Sequence, residues 1–339
     1  MSEMKPTQPT QPATAEDNAA RESLIELAGN DGFAPMRWLD RFSKEVSLSV
    51  RSDQVREAIR SGSRTLVVRE GRDVLGGIVW RAVPDLAEHF DVPVHEVVAV
   101  LADPAADRHP VVADLLGALR SEPAGDSGGF VMLRIEADDV AGLAGATDAG
   151  FRLLSTSFSL VNDLERRHLN PAYDAPGMSI HRFADGPLPD GMYSVLRSAP
   201  TPLVDDHYHA DPRLDNKRCD ALYDRKRERV LAGIGADVMV YREIEGTITG
   251  FGTFKRATDV EPYGIALLDG SFGYRPPGAP AGHGGAAAAF MCNESLLDNR
   301  FVEWDTQATN YGMVNMLTGR PSIRLVRSSY ILRCWTDKL

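Results

Sequence analysis

Three stretches in the C-terminal half carry residue types and spacings suited to chemistry. In the first, Gly282-His283-Gly284-Gly285 runs into Ala286-Ala287-Ala288-Ala289-Phe290. Alanines after glycines predict a helix whose first turn is nearly bare backbone. The first amides of such a helix lack internal partners, and with the helix dipole they form an anion site that a phosphate can approach closely. The second stretch is Thr306-Gln307-Ala308-Thr309-Asn310, a polar exit from the apolar run Arg300–Trp304 into a short helix over Tyr311–Leu317. The third is Thr201–Arg213, which holds Asp205, Asp206, His207, Tyr208, His209 and Arg213 and is too polar and too aromatic for an ordinary connector. Its two histidines and two aspartates could ligate a metal, but an alternate His-x-His pair without a clear third ligand is a weak signal, and no metal is expected.

The elements that position these residues follow from the pattern of the chain. Ile265–Leu268 is a short apolar run closed by Asp269-Gly270, which predicts a buried strand ending in a turn. Strand, glycine-headed helix, strand, polar exit and short helix then succeed one another across Gly264–Gly319. This succession resembles the acyl-CoA-binding half of the GCN5-related N-acetyltransferases (GNAT), whose signature is Gln/Arg-x-x-Gly-x-Gly/Ala and whose next strand often leads to Thr-Gln-x-x-Asn. Ala281–Ala286 matches that signature in its last three positions, and Ala281 stands where the family prefers Gln or Arg. Leu317, seven residues beyond Asn310, stands where many members place the tyrosine that protonates the departing thiolate.

The resemblance implies acetyl-CoA as acyl donor, held by Gly282, His283, Gly284, Gly285 and Ala286 at the pyrophosphate. Backbone near Leu267 and Leu268 would hold the thioester, and Asn310 the cofactor arm. Amide formation needs a neutral amine, an aligned thioester, donors for the developing oxyanion and a proton for the leaving sulfur. His207, His209 or Glu303, directly or through water, are the candidate bases. His207, Tyr208, His209 and Arg213 are the candidate acceptor-binding residues. A thiolate with an ordinary pKa near 8.5 can also leave unassisted.

The N-terminal half repeats the pattern. Val238–Phe251 laid on Thr65–Trp80 without a gap matches Val67 to Val240, Arg69 to Arg242, Glu70 to Glu243 and Gly77 to Gly250, an offset of 173. Phe130-Val131 falls on Phe301-Val302 at 171, and so do Leu154 on Leu325 and Ser157 on Ser328. Because a one-residue slip turns a strand's apolar face outward, the near-constant offset predicts a duplicated domain. Between hairpin and final strand the first copy has Asp103–Leu119, a plausible helix with no glycine run before it, so that copy keeps the scaffold without the phosphate cradle. A degenerate copy ahead of an active one is similar to the dTDP-fucosamine acetyltransferase group of sugar-nucleotide N-acetyltransferases, with Trp38–Phe42, Asp211–Arg213, Leu222-Tyr223 and Tyr330–Trp335 carrying the likeness.

Composition bounds the alternatives. The 339 residues are 43% hydrophobic, enough for one large or two ordinary domains, and the net charge of −11 argues against a nucleic-acid or anionic-membrane surface. Cys219, Cys292 and Cys334 make neither a CxxC spacing nor an even set, so disulfides and structural zinc are not expected. There is no apolar run of about 20 residues and no N-terminal signal core, which leads to an expected cytoplasmic location.

The expected fold is α/β with a mixed sheet, in two tandem GNAT-like domains: residues 1–30 a disordered tail and short helix, 31–168 the degenerate copy, and 177–339 the acyl-CoA domain. The expected function is N-acetylation of a small amine, by the resemblance a nucleotide-linked amino sugar, with a homodimer compatible. Two alternatives stand beside it: acylation of another small amine or natural-product precursor, and a non-catalytic acyl-CoA-binding or partner-binding protein.

Overall fold

Two hairpins found the two halves of the architecture. The computed structural model describes residues 11–13, 18–33, 36, 38, 44–121, 128–163, 177–198, 206–274 and 300–336. The chain divides into two compact units, residues 1–154 with 329–339 and residues 155–328.

In the first unit, β2 (Arg64–Glu70) and β3 (Asp73–Ala82) form the hairpin, flanked by β1 (Gln11–Ala13) and β4 (Val94–Ala102). β1 lies within the stretch whose composition predicts disorder. Strand β4 runs parallel to β5 (Phe130–Glu136). The helices are α1 (Asn18–Ala28), α2 (Lys44–Arg60), α3 (Pro84–Phe90), α4 (Arg108–Ser121) and α5 (Val140–Asp148). One sheet face packs Val67, Val79 and Leu101 against Leu24 and Val55 of α1 and α2, and the other packs Leu66, Ile78 and Leu133 against Val112 and Leu116 of α4.

In the second unit the order is β7 (Met178–Arg182), β8 (Val238–Ile244), β9 (Thr247–Arg256), β10 (Leu267–Tyr274), β11 (Phe301–Gln307). Its described helices are α6 (Met192–Ser198), α7 (Asn216–Leu231) and α8 (Tyr311–Thr318). Leu160, Val240, Leu268, Val302, Trp304 and Leu317 share one core, and Leu196, Val230, Met239 and Phe251 share another across the sheet. Each such buried side chain contributes about 1.5–3 kcal/mol relative to exposure.

Two long strands cross the division. β6 (Arg152–Asp163) leaves the first repeat and its Ser157–Asp163 segment pairs antiparallel with β11, whereas β12 (Ile323–Trp335) ends the second repeat and its Ser329–Trp335 segment pairs with β5. Each unit's sheet is therefore completed by the last strand of the other repeat.

The helix-and-strand pairs Phe130/Phe301 and Val140/Tyr311 keep the 171 spacing, down to the N-caps Asp139 and Asn310, each accepting from the amide three residues on. The hairpins do not keep 173. Their bulges fall between Val68 and Arg69 in one and Arg242 and Glu243 in the other, and Val68↔Gly76 corresponds to Arg242↔Gly250, so equivalent residues lie one position further apart. Val67 consequently faces α1 and α2, while Val240 shares the core of Trp304 and Leu317. The slip survives at sequence level because both sheet faces are buried, which makes these strands nearly continuous apolar runs.

Candidate functional site

The site starts from β10. Asp269-Gly270 reads as a turn in sequence, yet the strand passes straight through: Asp269 pairs with Lys255 on β9 and with Glu303 on β11. The aromatic alternation Phe272, Tyr274 after it is the signal of continuation. Gly270 is required here by close approach, since a Cβ would lie 2.7 Å from Cδ1 of Trp304.

The parallel pair β10/β11 holds only from Leu267↔Phe301 to Gly270↔Trp304. Beyond it a bulge between Gly270 and Phe272 turns β10, whose Phe272–Tyr274 stays beside β9, while Asp305–Gln307 of β11 stays beside β6. Two parallel strands thus part into a V, along which the described residues of β10 and β11 no longer pair with each other. Leu267 and Leu268, at 2% and 0% exposure, lie below the V in the fully paired segment. Their amides are ladder groups, and the backbone that can serve an inserted ligand is that of Ser271–Tyr274.

At the mouth of this V, Asp269 and Glu303 are side-by-side neighbours on parallel strands, about 4.8 Å apart. Glu303 is buried, and its Oε1 accepts from Nη2 of Arg327 at 3.4 Å. Both Nε and Nη2 of Arg327 donate to Oγ of Ser159, at 3.2 and 3.1 Å. Partial burial first, then the charges of Glu303, Asp259 and Asp305, raise Asp269 to about 6 against the pull of Arg327. By surface area Asp269 is exposed among the described residues, so the crowding by neighbouring carboxylates is the firmer cause of its raised value. Sequence reasoning reached Glu303 and missed Asp269, Arg327 and Ser159.

His207 belongs to the same strand face at a different station. Its Nδ1 lies 3.4 Å from Nε2 of Gln307. Gln307 stands four residues beyond Glu303, which at about 3.3 Å per residue separates the two stations by about 13 Å. His207 and Glu303 therefore do not act on one proton together.

His209 is drawn away from the opening. Its side chain is 4% exposed, its Nδ1 lies 2.8 Å from Oδ1 of Asp206 and its Nε2 3.1 Å from Oδ1 of Asp220. Asp206 also accepts the amides of Tyr208 and His209, each at 2.8 Å, and the hydroxyl of Tyr223. Burial pulls the His209 pKa down, but its hydrogen bonds and charge partners Asp206 and Asp220 outweigh this and raise it. Burial pushes Asp206 up, and the hydroxyl of Tyr223 with the amide and ring of His209 bring it below the ordinary range. With both ring nitrogens engaged, His209 pins the 206–214 turn to α7. Tyr208 is buried, and Arg213 is exposed with its amide donating to Asp211.

Asn310 is the N-cap of α8: Oδ1 accepts from the Met313 amide at 3.3 Å and Nδ2 donates to Oγ1 of Thr306 at 3.1 Å. The candidate phosphate cradle Gly282, His283, Gly284, Gly285 and Ala286 lies outside the described residues.

The first unit has the same V without the same contents. β4 and β5 pair from Val94↔Phe130 to Glu96↔Met132. At the rung equivalent to Asp269/Glu303 stand Glu96 and Met132, and Glu96 takes Arg81 at 2.8 Å. Past that rung, the Val98 and Val100 carbonyls accept from Arg51 at 3.5 Å and Arg108 at 3.4 Å. Each arginine is anchored by a buried aspartate, Arg51 on Asp31 at 3.2 Å and Arg108 on Asp139 at 2.6 Å. Arginine side chains of this unit thus take the backbone carbonyls past the parallel rungs. Isothermal calorimetry on the whole chain is accordingly expected to give one acetyl-CoA per protomer, and two equivalent sites would contradict this.

The two mixed α/β units, each with a splayed parallel pair, share their fold with solved GCN5-related N-acetyltransferases. The chain is similar over 97% of its length, with a TM-score of 0.56 and 18% identity, to a tandem GNAT protein from the clavulanic acid biosynthesis pathway, of which it covers 99%. It is similar over 97% of its length, with a TM-score of 0.52 and 13% identity, to a GCN5-related N-acetyltransferase from Sphaerobacter thermophilus, of which it covers 96%. No family model matches the sequence, and no curated protein matches it. Among the described residues no helix is long and apolar enough to cross a membrane, and no His, Cys, Asp and Glu group is arranged to hold a metal ion.

Proposed function

We propose that the chain is an N-acyltransferase that moves an acyl group, acetyl in the first instance, from acyl-coenzyme A to a small amine at the V between β10 and β11. The observation that carries this reading is the carboxylate pair Asp269/Glu303 seated where the two parallel strands part. The donor supplies a carbonyl activated as a thioester. The chain's own residues supply the rest: backbone of Ser271–Tyr274 aligns the donor, and a carboxylate at the mouth of the V takes the proton that the amine loses as its nitrogen bonds to the carbonyl carbon. The C–S bond breaks and the sulfur leaves as thiolate.

An amine arrives at neutral pH as an ammonium ion and gives one proton to solvent before its lone pair can attack; the carboxylate takes the second as the C–N bond forms. Asp259, Asp269, Glu303 and Asp305 interact electrostatically around the site, which favours a cation, and a base raised to about 6 is ionised at pH 7 yet close enough in pKa to exchange protons efficiently. This supports a small cationic amine as acceptor. The finer reading, a nucleotide-linked amino sugar, rests on the sequence likeness, and Arg213 is its probe, because a guanidinium forks onto phosphate and lysine does not. If that reading holds, Arg213→Lys raises KM for a sugar nucleotide and leaves a simple amine unaffected. Equal losses on both acceptors remove the case for nucleotide recognition and leave the small-amine reading.

A further inference from the structure

The two carboxylates at the mouth of the V are not equivalent, and the difference comes from residues outside the pair. We propose that Arg327, braced by Ser159, holds Glu303 as a permanent anion and so assigns the exchangeable proton to Asp269. The catalytic meaning of this assignment rests on the acyl-transfer reading; the assignment itself does not.

The geometry is specific. Arg327 lies on β12 before the strand leaves the unit, and Ser159 lies on β6 opposite Asp305. Nε and Nη2 of the guanidinium converge on one hydroxyl, Oγ of Ser159, which fixes the plane of the fork. That plane directs Nη2 at Oε1 of Glu303, and the two side chains are only 21% and 11% exposed. Little water is left to screen the contact, so protonating Glu303 would remove a negative charge that lies directly against the guanidinium.

Asp269 has the opposite surroundings. Glu303 and Asp305 face it from β11 and Asp259 from the segment before β10, while Arg327 acts from β12 and the exposed Lys255 stands across from it on β9. Two carboxylates on adjacent strands cannot both ionise without mutual cost, and the one farther from the cation yields. Glu303 is therefore the fixed charge and Asp269 the group that accepts and returns a proton. Arg327 is a positioning residue: it acts through Glu303.

Carbon-13 carboxyl NMR titration of the full chain, with Asp269 and Glu303 assigned by Asp269→Asn and Glu303→Gln, tests this without any turnover. The expected wild-type result is an Asp269 midpoint of about 6, with a Glu303 carboxyl signal that shows no protonation step of its own through that midpoint. Arg327→Gln should raise the Asp269 midpoint by about one unit, and Glu303→Gln should lower it by a similar amount. Ser159→Ala, a mild change that keeps the charge, should move it upward by less. The pH midpoint of the acylation rate should follow the same order. An Asp269 midpoint unmoved by Arg327→Gln, or Glu303 titrating near 6 in its place, overturns the assignment. Midpoints that move as stated in a protein that acylates no amine would uphold the assignment and overturn the acyl-transfer reading.

Discussion

Asp269→Asn is expected to slow amine acylation by about a hundred- to ten-thousand-fold while leaving the thermal shift produced by acetyl-CoA in place. That range is what a positioned general base contributes, and asparagine keeps the size of the side chain and its place between Lys255 and Glu303 while removing its basicity. Donor binding should be untouched, because ligand that binds only the native state stabilises it by an amount set by its own affinity, about 2.7 kcal/mol at a hundredfold excess over Kd. In the wild type the rate should rise with pH through about 6, since the base must be ionised to work. In the variant that limb should vanish along with most of the rate. Single-turnover acylation from pH 5 to 8, paired with melting curves with and without acetyl-CoA, checks both halves. A variant that keeps full rate would move the base to Glu303 or His207.

The second large effect concerns stability. Asp206→Ala should cost about 3 kcal/mol or more, the range found when one partner of a buried charge pair is removed. Four donors lose their acceptor at once: the amides of Tyr208 and His209, the His209 ring and the Tyr223 hydroxyl. For a unit of this size that corresponds to a fall in Tm of roughly 6–12 °C. The same network sets a pH window. His209 is raised above its ordinary 6.5, so its contribution is fully present below that value and is lost as pH rises through the folded pKa. Asp206 is lowered below its ordinary 3.8, so its contribution is present above that value and is lost as pH falls through the folded pKa. The network is therefore strongest between roughly pH 4 and 6.5. His209→Gln should remove the alkaline fall in Tm and spare the acid one, and a wild-type Tm that is flat from pH 6 to 9 would contradict the electrostatic account of this turn.

How far the sequence carries the fold depends on what each element must bury. The helix after Asn310 is readable because a polar exit follows the strand at Arg300–Trp304, and it forms over Tyr311–Thr318 with Asn310 as its cap. The strand at Phe301 is readable for a similar reason. The hairpin register is not, since strands covered on both faces tolerate a one-residue slip in any comparison of apolar residues. Nor is the exchange of β6 and β12. Their closing segments have the same apolar pattern, and no local interaction tells either one which repeat it will join.

The site divides along the same line. Glu303 is reachable as a charged residue inside an apolar run, and its burial follows from that position. Asp269 hides in an Asp-Gly pair, which is a strong turn signal when nothing else is known. It becomes a strand residue only because β9 and β11 supply partners on both sides, one of them from more than thirty residues later in the chain. His207 and His209 look alike in sequence and part in the structure, one toward Gln307 and the other between two aspartates, because which ring is buried is decided by α7 and not by the loop.

Coenzyme A release is the most direct test of the central claim. The full chain, with acetyl-CoA, is presented with a panel of primary amines that includes small cationic amines and one amino-sugar nucleotide, and free thiol is followed while the amine is examined by mass spectrometry. The expected result is thiol release that depends on the amine, with one acetyl group gained on nitrogen for each thiol freed and a rate that climbs through pH 6. A thermal shift with acetyl-CoA but no amine-dependent thiol release from any member of the panel would contradict catalysis and leave a protein that binds acyl-CoA without transferring it.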